Sequence, residues 1–306
     1  MIRHVLLRLA LTLPALWLVL TLVFLLIHIV PGDPVQQMLG EGARAEDLQQ
    51  LRHALGLDQP LLVQYGKYLS GLVRGDWGES FRFQLPVFKI VLQRYPATLE
   101  LAAVSLLVCA AIGIPAGVLA AHRRGSAADR AVGVFTLFGL SVPNFALGPV
   151  LVLIFSIQLG LFPVSGSGSL LHLVLPTLTL GAALAAILTR MVRTSMMEEL
   201  TSDYVRTARA KGLPESAVLF RHAFRNALIP IITILGLQFG TLLAGTIVTE
   251  NIFAWPGVGR LAVQAIQSRD YPLLQGCILF IALSYIVVNL LTDFVYALVD
   301  PRVRVT

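Results

Sequence analysis

Six long apolar runs constrain the fold of this chain more than any other feature. They cover residues 9–30, 99–121, 132–159, 173–191, 227–249 and 277–299. Each is close to or above the roughly 20 residues that a helix needs to cross a membrane. Of all residues 56% are hydrophobic and 13% are charged, whereas a soluble domain is about 25% charged. We therefore predict an all-α polytopic membrane protein with about six transmembrane helices.

The first apolar run is interpreted as an uncleaved membrane span. Arg3 and Arg8 precede it, as basic residues precede the core of a signal peptide. The run is longer than a cleavable signal core, however, and does not end at a small-residue cleavage site. Residues 1–30 are therefore predicted to form the N-terminal end and the first transmembrane helix.

The lysine and arginine residues of the short loops predict the orientation. One side of the membrane carries most of them: Arg3, Arg8, Arg123, Arg124, Arg130, the cations within 190–225, Arg302 and Arg304. On the other side, the loop at 160–172 carries none, and the last loop has only Arg260 and Arg269. Cations gather on the cytoplasmic side, although long loops such as 31–96 escape this rule. Both termini and the 203–225 stretch are therefore predicted to be cytoplasmic.

The long polar region at 31–96 is predicted to lie outside the membrane as short amphipathic helices. Leu48, Leu51 and Leu55 share one helical face, and a second apolar face follows Pro60. These helices would lie on the bilayer or cap the spans; about sixty residues make a marginal core for a substrate-binding domain. In the last outer loop, Trp255 is predicted to anchor an amphipathic stretch at the membrane interface.

Small and polar residues inside the runs leave alternatives open. Two GxxxG patterns, at 113–117 and 236–240, allow close helix approach, either within the chain or across a dimer. The polar residues of the runs include Asn289 and Asp293, but no carboxylate is central, which argues against a proton-coupled secondary carrier. Cys109 and Cys277 lack metal-ligand spacing and suit neither a zinc site nor a disulfide framework.

A polar, basic stretch at residues 203–230 stands out from this apolar background. Thr201, Ser202 or Asp203 can cap a helix, Gly212 can end it in a left-handed conformation, and Pro214 can begin the next helix. The pattern predicts a short helix, a turn and a second helix.

The first of these helices would place small and polar residues on one face for docking against a partner. That face comprises Tyr204, Thr207, Ala208 and Lys211. The alternative is a merely solvated basic loop. The chain contains no GxxxxGK[ST] phosphate loop, GxSxG, HExxH or CxxC motif. It is therefore not predicted to be an enzyme, and any ATP-driven work would come from a separate subunit.

The stretch resembles the cytoplasmic EAA-type loop of ABC importer permeases, in particular the dipeptide/oligopeptide/nickel family. The likeness rests on RTARAKG at 206–212 and RHAFRNALIP at 221–230. Further matching segments, in the same order, are PGDP at 31–34, GLDQPL at 56–61, ATLEL at 97–101, SVPNFALG at 141–148, LPTLTLG at 175–181, ENIFAWPGVGR at 250–260, RDYP at 269–272 and DPRVR at 300–304. Arg206 and Thr207 replace the first two residues of the general Glu-Ala-Ala motif, so no glutamate contact is carried over.

The resemblance implies the division of the chain and its site. Residues 31–96 would form a periplasmic amphipathic region, and residues 97–303 a five-helix permease domain with a cytoplasmic coupling loop at 194–226. The implied ATPase-coupling residues are Asp203, Tyr204, Arg206, Thr207, Ala208, Arg209, Ala210, Lys211 and Gly212. No catalytic residue, metal ligand or cofactor is implied, and the substrate-binding residues are unknown.

The resemblance also implies partners and a function. The partners would be a second homologous permease subunit, two cytoplasmic ABC ATPases, a periplasmic or lipid-anchored substrate-binding protein and membrane lipid, with no nucleic acid. The complex would import short peptides, of the dipeptide, oligopeptide or glutathione type, across the bacterial inner membrane by alternating access. Nickel or a nickel chelate is the alternative substrate within the family. A secondary carrier and a non-transporting assembly protein are the alternatives from other classes.

Overall fold

The computed structural model describes residues 2–29, 34–39, 42–54 and 56–299. Leu55, most of the PGDP segment and the C-terminal segment with Arg302 and Arg304 lie outside these residues. Helices form nearly all of the described chain. The β-pairing among the described residues is an isolated antiparallel bridge between Glu79 and Pro86. The prediction of an all-α protein is confirmed.

The described residues form fourteen α-helices. These are α1 (Ile2–Ile29), α2 (Pro34–Leu39), α3 (Ala45–Ala54), α4 (Leu61–Val73), α5 (Val87–His122), α6 (Ala127–Ser141), α7 (Asn144–Leu151), α8 (Leu170–Leu200), α9 (Asp203–Ala210), α10 (Glu215–Ala217), α11 (Arg225–Gly245), α12 (Ile247–Ile252), α13 (Val258–Gln267) and α14 (Tyr271–Val299). Two π-helical segments, Val152–Gln158 and Val218–Phe224, continue α7 and α10.

Four helices in the described part of the chain are long and apolar enough to cross a membrane. They are Val87–His122, Leu170–Leu200, Glu215–Leu243 and Tyr271–Thr292. The pair Ala127–Ser141 and Asn144–Gln158 makes a fifth if it is counted as one bent span. The predicted first span falls in α1, where Thr12–Leu25 forms a shorter apolar helix among the described residues.

The span predicted at 132–159 is sharply bent, at one of the prolines that indicate kinks in the apolar runs. The chain bends by 104° between α6 and α7. Val142 leaves the helical conformation with φ −94° and ψ 114°, and Pro143 follows it. A proline cannot donate its backbone nitrogen and forces the preceding residue toward extended geometry, so the two residues together end α6.

The start of α5 also differs from the sequence prediction. The helix begins at Val87, well before the apolar run at residue 99. Val87, Ile90 and Val91 are buried in a cluster with α13 and the start of α14. Protein contacts therefore cover the extra turns of α5, which belong to the polar region in the sequence.

The chain divides into two compact units. The first comprises residues 99–255 with the chain from 285 onward, and the second comprises residues 2–98 with 256–284. In the first unit, a buried cluster joins α5, α8, α9, the second π-helix and α11. Its buried members are Cys109, Val118, Ala121, Ala185, Leu188, Val192, Met196, Val205, Ala208, Val218, Leu219, Ala223, Ala227 and Ile231.

Both GxxxG patterns serve packing within the chain. Gly113 and Gly117 of α5 face α8, and Gly236 and Gly240 of α11 face α14. Close backbone approach is what small residues permit in membrane helices, where dispersion contacts replace the hydrophobic effect. The structure thus favours the intrachain alternative over a dimer face for both patterns.

In the second unit, Asp270 ties the segment before α5 to the start of α14. Its carboxylate accepts hydrogen bonds from the Ser80 hydroxyl at 2.5 Å and the Arg82 amide at 3.1 Å. It also accepts one from the Leu273 amide at 3.2 Å, in the first turn of α14. One buried carboxylate therefore caps a helix and fixes a loop at the same time.

Trp255 does not anchor the chain at the membrane interface as predicted. Its side chain is only 3% exposed. Its amide donates to the Glu250 carbonyl at 2.8 Å, at the end of α12. The indole is therefore covered by protein.

Candidate functional site

The short helix α9 has the length and the ending that the sequence predicts. It spans Asp203–Ala210, and Gly212 follows with φ +78°. The Gly212 amide donates to the Arg209 carbonyl and the Leu213 amide to the Ala208 carbonyl, at 2.9 and 3.4 Å. These two bonds form a Schellman ending, in which glycine takes the left-handed position without a Cβ penalty.

The beginning of α9 differs from the prediction. Ser202 occupies the capping position but makes no side-chain cap. Its hydroxyl donates instead to the Glu199 carbonyl at 2.6 Å, and the Thr201 hydroxyl donates to the Glu198 carbonyl at 2.9 Å. The hydroxyl groups therefore satisfy the last carbonyls of α8, and α8 leads into α9 through a two-residue turn.

The turn after α9 is held by an ion pair that the sequence did not predict. Arg209 donates to both carboxylate oxygens of Glu215, with distances of 2.7 Å from Nη2 and 3.2 Å from Nε. This contact also raises the pKa of Arg209 above its ordinary value. Both side chains are more than 40% exposed. The pair therefore fixes the conformation of the turn but contributes little to the free energy of unfolding.

One side of α9 packs against its own chain. Val205 and Ala208 are buried in the cluster with Val218, Leu219 and Ala223. The prediction that Ala208 shares the docking face with Tyr204, Thr207 and Lys211 is therefore wrong for Ala208. Its methyl group attaches α9 to the π-helix that leads into α11.

The other side of α9 is exposed and basic. Arg206, Thr207, Ala210 and Lys211 are all exposed there. The Arg206 side chain is 75% exposed, and its Nη1 lies 3.4 Å from Oδ1 of Asp203. The exposed face therefore has short side chains flanked by cations, which suits contact with a partner that carries acidic or polar groups.

Tyr204 lies at the edge of this face. Its hydroxyl donates to the Glu199 carboxylate at the end of α8. Partial burial, followed by that contact, raises the pKa of the tyrosine. The tyrosine thus links α9 to α8 and leaves part of its ring exposed.

Two exposed apolar residues near α9 were missed by the sequence analysis. Leu213 is 40% exposed in the turn, and Phe220 is 59% exposed in the π-helix. Phe220 packs edge-on against Phe224, with ring centroids 6.4 Å apart. An aromatic residue within the basic stretch was the available signal, because most large apolar residues of this chain lie in the runs.

The surface is joined directly to a membrane span. Residues from Glu215 to Leu243 form one continuous helical segment through the π-helix. Ala217 and Arg225, which flank that π-helix, both keep right-handed helical geometry. Helix α9 is therefore linked to α11 through packed side chains and a continuous helix.

The site contains no evident chemistry of its own. Among the described residues, no group of three or more His, Cys, Asp or Glu side chains could hold a metal ion. The side chains that surround α9 make structural hydrogen bonds and ion pairs. The arrangement is suited to mechanical contact.

Two family models match almost the whole chain. Residues 113–305 match the binding-protein-dependent transport system inner membrane component, and residues 1–102 match the N-terminal domain of such membrane components. The first match includes α9, its turn and the spans on either side. The chain belongs to this family of transport permeases.

Curated relatives match this permease over its full length. It is 44% identical over 304 residues to the glutathione transport system permease protein GsiC of Escherichia coli strain K12, covering 99% of each chain. The GsiC proteins of Shigella flexneri serotype 5b and Shigella boydii serotype 4 are 44% and 43% identical, again over 99% of each chain. The predicted resemblance to the peptide permeases is confirmed.

A solved transporter shares the permease fold. A chain in an inward-facing structure of the MetNI methionine ABC transporter aligns with a TM-score of 0.59 at 17% identity. The alignment covers 69% of this permease and 96% of that chain. Together with the family match, this fold identifies the protein as a multi-pass inner-membrane permease that works with a substrate-binding protein and an ATPase.

Proposed function

We propose that this permease carries glutathione or a similar short peptide into the cell. The observation that supports this most directly is the 44% identity to glutathione permeases over 99% of both chains. The alternative of nickel import, left open by the sequence, is less favoured because these relatives are named for glutathione.

We further propose that α9 is the docking point of a cytoplasmic ATPase. The chain itself has no phosphate-binding loop, so the energy of transport must enter through a contact. The exposed, basic face of α9 supports this role, as does its rigid attachment to α11 through Val205 and Ala208. Of the nine predicted coupling residues, Ala208 is buried and attaches α9 together with Val205, whereas the other eight are exposed.

The complete transporter would contain a second, homologous permease, two ATPases and an outer substrate-binding protein, in a lipid bilayer. Closure of the ATPases on ATP would push α9, and the packed cluster would pass that motion to the spans as a rigid-body tilt. Alternating access at the interface of the two permeases would follow. The distribution of arginine and lysine supports cytoplasmic termini and a cytoplasmic coupling loop at 194–226.

The predicted division of the chain fits this arrangement. Residues 1–30 would supply the first span, 31–96 an outer region, and 97–303 the permease domain.

A secondary carrier would need a coupling-ion site in the spans and no ATPase, and a non-transporting assembly protein would move no substrate.

The substrate proposal is tested by uptake of radiolabelled glutathione. Cells that carry the complete transporter are compared with cells lacking only this chain, with excess unlabelled dipeptide or nickel as competitors. We expect uptake to require this chain, to be reduced by unlabelled glutathione and to be unaffected by nickel. Uptake of labelled nickel in place of glutathione would establish the alternative.

The docking proposal is tested independently with an exposed residue of α9. Ala210→Glu places a large anion on the basic contact face, and we expect loss of ATPase co-purification together with loss of uptake. Ala127→Glu, at an exposed alanine that begins α6, is the matched control and should retain both. Survival of both properties in Ala210→Glu would contradict docking at α9 without bearing on the substrate.

A further inference from the structure

Helix α4 has three distinct sides, of which two are fixed by protein contacts. On the side facing α1, the hydroxyl groups of Tyr65 and Thr21 share a hydrogen bond of 2.7 Å. Phe24 packs on the rings of Tyr65 and Tyr68, with centroids 5.1 and 5.6 Å away. These contacts attach the middle of α4 to the second half of α1.

The second side of α4 is polar and is joined to the turn between α3 and α4. Gln64 donates to the carbonyl groups of Leu57 and Gln59, at 3.2 and 2.8 Å. The ammonium group of Lys67 approaches the same turn, since a Cβ built on Gly56 would lie 3.6 Å from its Nζ. A hydrogen bond from His53 and, more weakly, the charge of Lys67 lower the pKa of Asp58 there.

The third side of α4 is apolar and is left largely uncovered by the residues that the structure describes. Leu62 is 84% exposed and Val73 is 89% exposed. They are eleven residues apart, which brings them to nearly the same side of a helix after three turns. Gly66 lies beside them and would meet nothing within 4 Å if it carried a Cβ. Apolar residues that are exposed together on one side of a helix indicate a surface that something other than water covers.

The position of Thr21 relates α4 to the bilayer. Thr21 and Phe24 both lie within the apolar run at 9–30, which the sequence predicts to be the first span. The contacts with Tyr65 and Tyr68 therefore attach α4 to a part of α1 that the bilayer would surround.

We propose that α4 is an interfacial membrane helix whose side formed by Leu62, Gly66 and Val73 is covered by lipid acyl chains. The leaflet is the one reached by the C-terminal end of α1, which is the outer leaflet in the predicted topology. Helix α1 also exposes apolar side chains beside Thr21, where Leu18 and Leu22 are 53% and 55% exposed. Lys67 and Arg74, both exposed, reach the headgroup level, where they attract anionic phospholipid.

The inference is tested with a nitroxide label at single positions of α4. The complete transporter is reconstituted in vesicles of phosphatidylethanolamine and phosphatidylglycerol, with a label on Leu62→Cys, Val73→Cys or, as a matched control on the polar side, Lys67→Cys. Cys109 and Cys277 are buried and do not compete for the label. Collisions with oxygen, which concentrates in hydrocarbon, are compared with collisions with a nickel chelate, which stays in water.

Lipid cover predicts that oxygen collisions exceed nickel collisions at residues 62 and 73, and that the ratio is reversed at residue 67. An excess of nickel collisions at 62 and 73 would overturn the inference and show an aqueous surface, as a docking site for the binding protein would have. Low collision rates with both reagents and an immobilised label would also overturn it, because protein would then cover this side of α4.

Discussion

Gly117 of α5 lies so close to Val192 of α8 that a Cβ built on the glycine would be 2.6 Å from the Cβ of the valine. It would also lie 2.7 Å from the carbonyl oxygen of Thr189. Neither the valine Cβ nor a helical carbonyl can move independently of the backbone. The two helices are therefore in backbone contact at this point, and only glycine fits.

The first prediction concerns this contact. Gly117→Ala should lower the midpoint of thermal unfolding of the purified transporter, because overpacking of a close helix contact costs about 1–3 kcal/mol. Gly66→Ala in α4 is the control, since a Cβ there meets nothing within 4 Å and alanine favours the helix by up to about 1 kcal/mol. Equal midpoints for the two variants would show that α5 and α8 separate easily.

The second prediction concerns Gly212 at the end of α9. A Cβ at this residue meets nothing within 4 Å, so any defect must come from its φ of +78°. Gly212→Val should therefore impair both ATPase co-purification and uptake, whereas Gly212→Asn should be milder because asparagine tolerates the left-handed region.

Gly125 supplies the matched control for that experiment. It has φ +76° and equally open surroundings, but it lies in the turn between α5 and α6. Gly125→Val should carry the same backbone strain and leave ATPase co-purification intact. Loss of co-purification in both variants would indicate general misfolding.

The third prediction compares two ion pairs. Asp129 receives hydrogen bonds from Nε and Nη2 of Arg193 at 2.7 and 3.0 Å, and their side chains are 11% and 35% exposed. Asp203 and Arg206 form a single contact at 3.4 Å with both side chains largely exposed. Double-mutant cycles on the free energy of unfolding should give a coupling free energy of about 1 kcal/mol or more for Asp129 with Arg193. The coupling free energy of Asp203 with Arg206 should be less than about 0.5 kcal/mol. Similar coupling free energies for the two pairs would show that the pair of Asp129 and Arg193 does not hold α6 against α8.

The fourth prediction separates the two roles of Asp270. Asp270→Asn can still accept the Leu273 amide, but its NH₂ group cannot accept the Arg82 amide. The substitution should leave α14 capped and release the loop before α5, so that trypsin cleaves after the exposed Arg82 faster than in the parent. Asp76→Asn, at a carboxylate that accepts only the Gly78 amide among the bonds described, should not change this rate. Unchanged cleavage in Asp270→Asn would mean that the loop is held by its other contacts.

The fifth prediction concerns orientation. Ser165 and Ser216 are both exposed, in the loop before α8 and in α10. A membrane-impermeant maleimide added to intact cells, with the outer membrane permeabilised, should label Ser165→Cys and leave Ser216→Cys unlabelled. The reverse pattern would refute cytoplasmic placement of α9.

Local sequence signals predicted much of the fold and part of the site. The spans follow from apolar length, and the end of α9 follows from Gly212, because both depend on residues close together in the chain. The exposed face of α9 could not be assigned in the same way. Ala208 is buried because α8 and the π-helix happen to flank it, and periodicity in an eight-residue polar helix does not indicate which side they occupy.

Long-range contacts explain most of the remaining differences. Asp129 and Arg193 are 64 residues apart, and Asp270 and Ser80 are 190 residues apart, so no pattern in the sequence brings either pair together. The bend after α6 was foreshadowed by Pro143, but its size depends on packing. The extra turns of α5 exist because α13 and α14 cover them.

The π-helical turn at Val218–Phe224 has a consequence for the direction in which the exposed face of α9 points. A π-helix is equivalent to an α-helix with an inserted residue, which the wider turn accommodates without breaking the rod. If the same residues took α-helical pitch without a change in their number, everything before them would rotate by about 100° around the axis of α11. The direction in which α9 faces thus depends on the π-helical pitch of this segment, and a change of pitch there would turn the exposed face of α9 with every residue of that face still present.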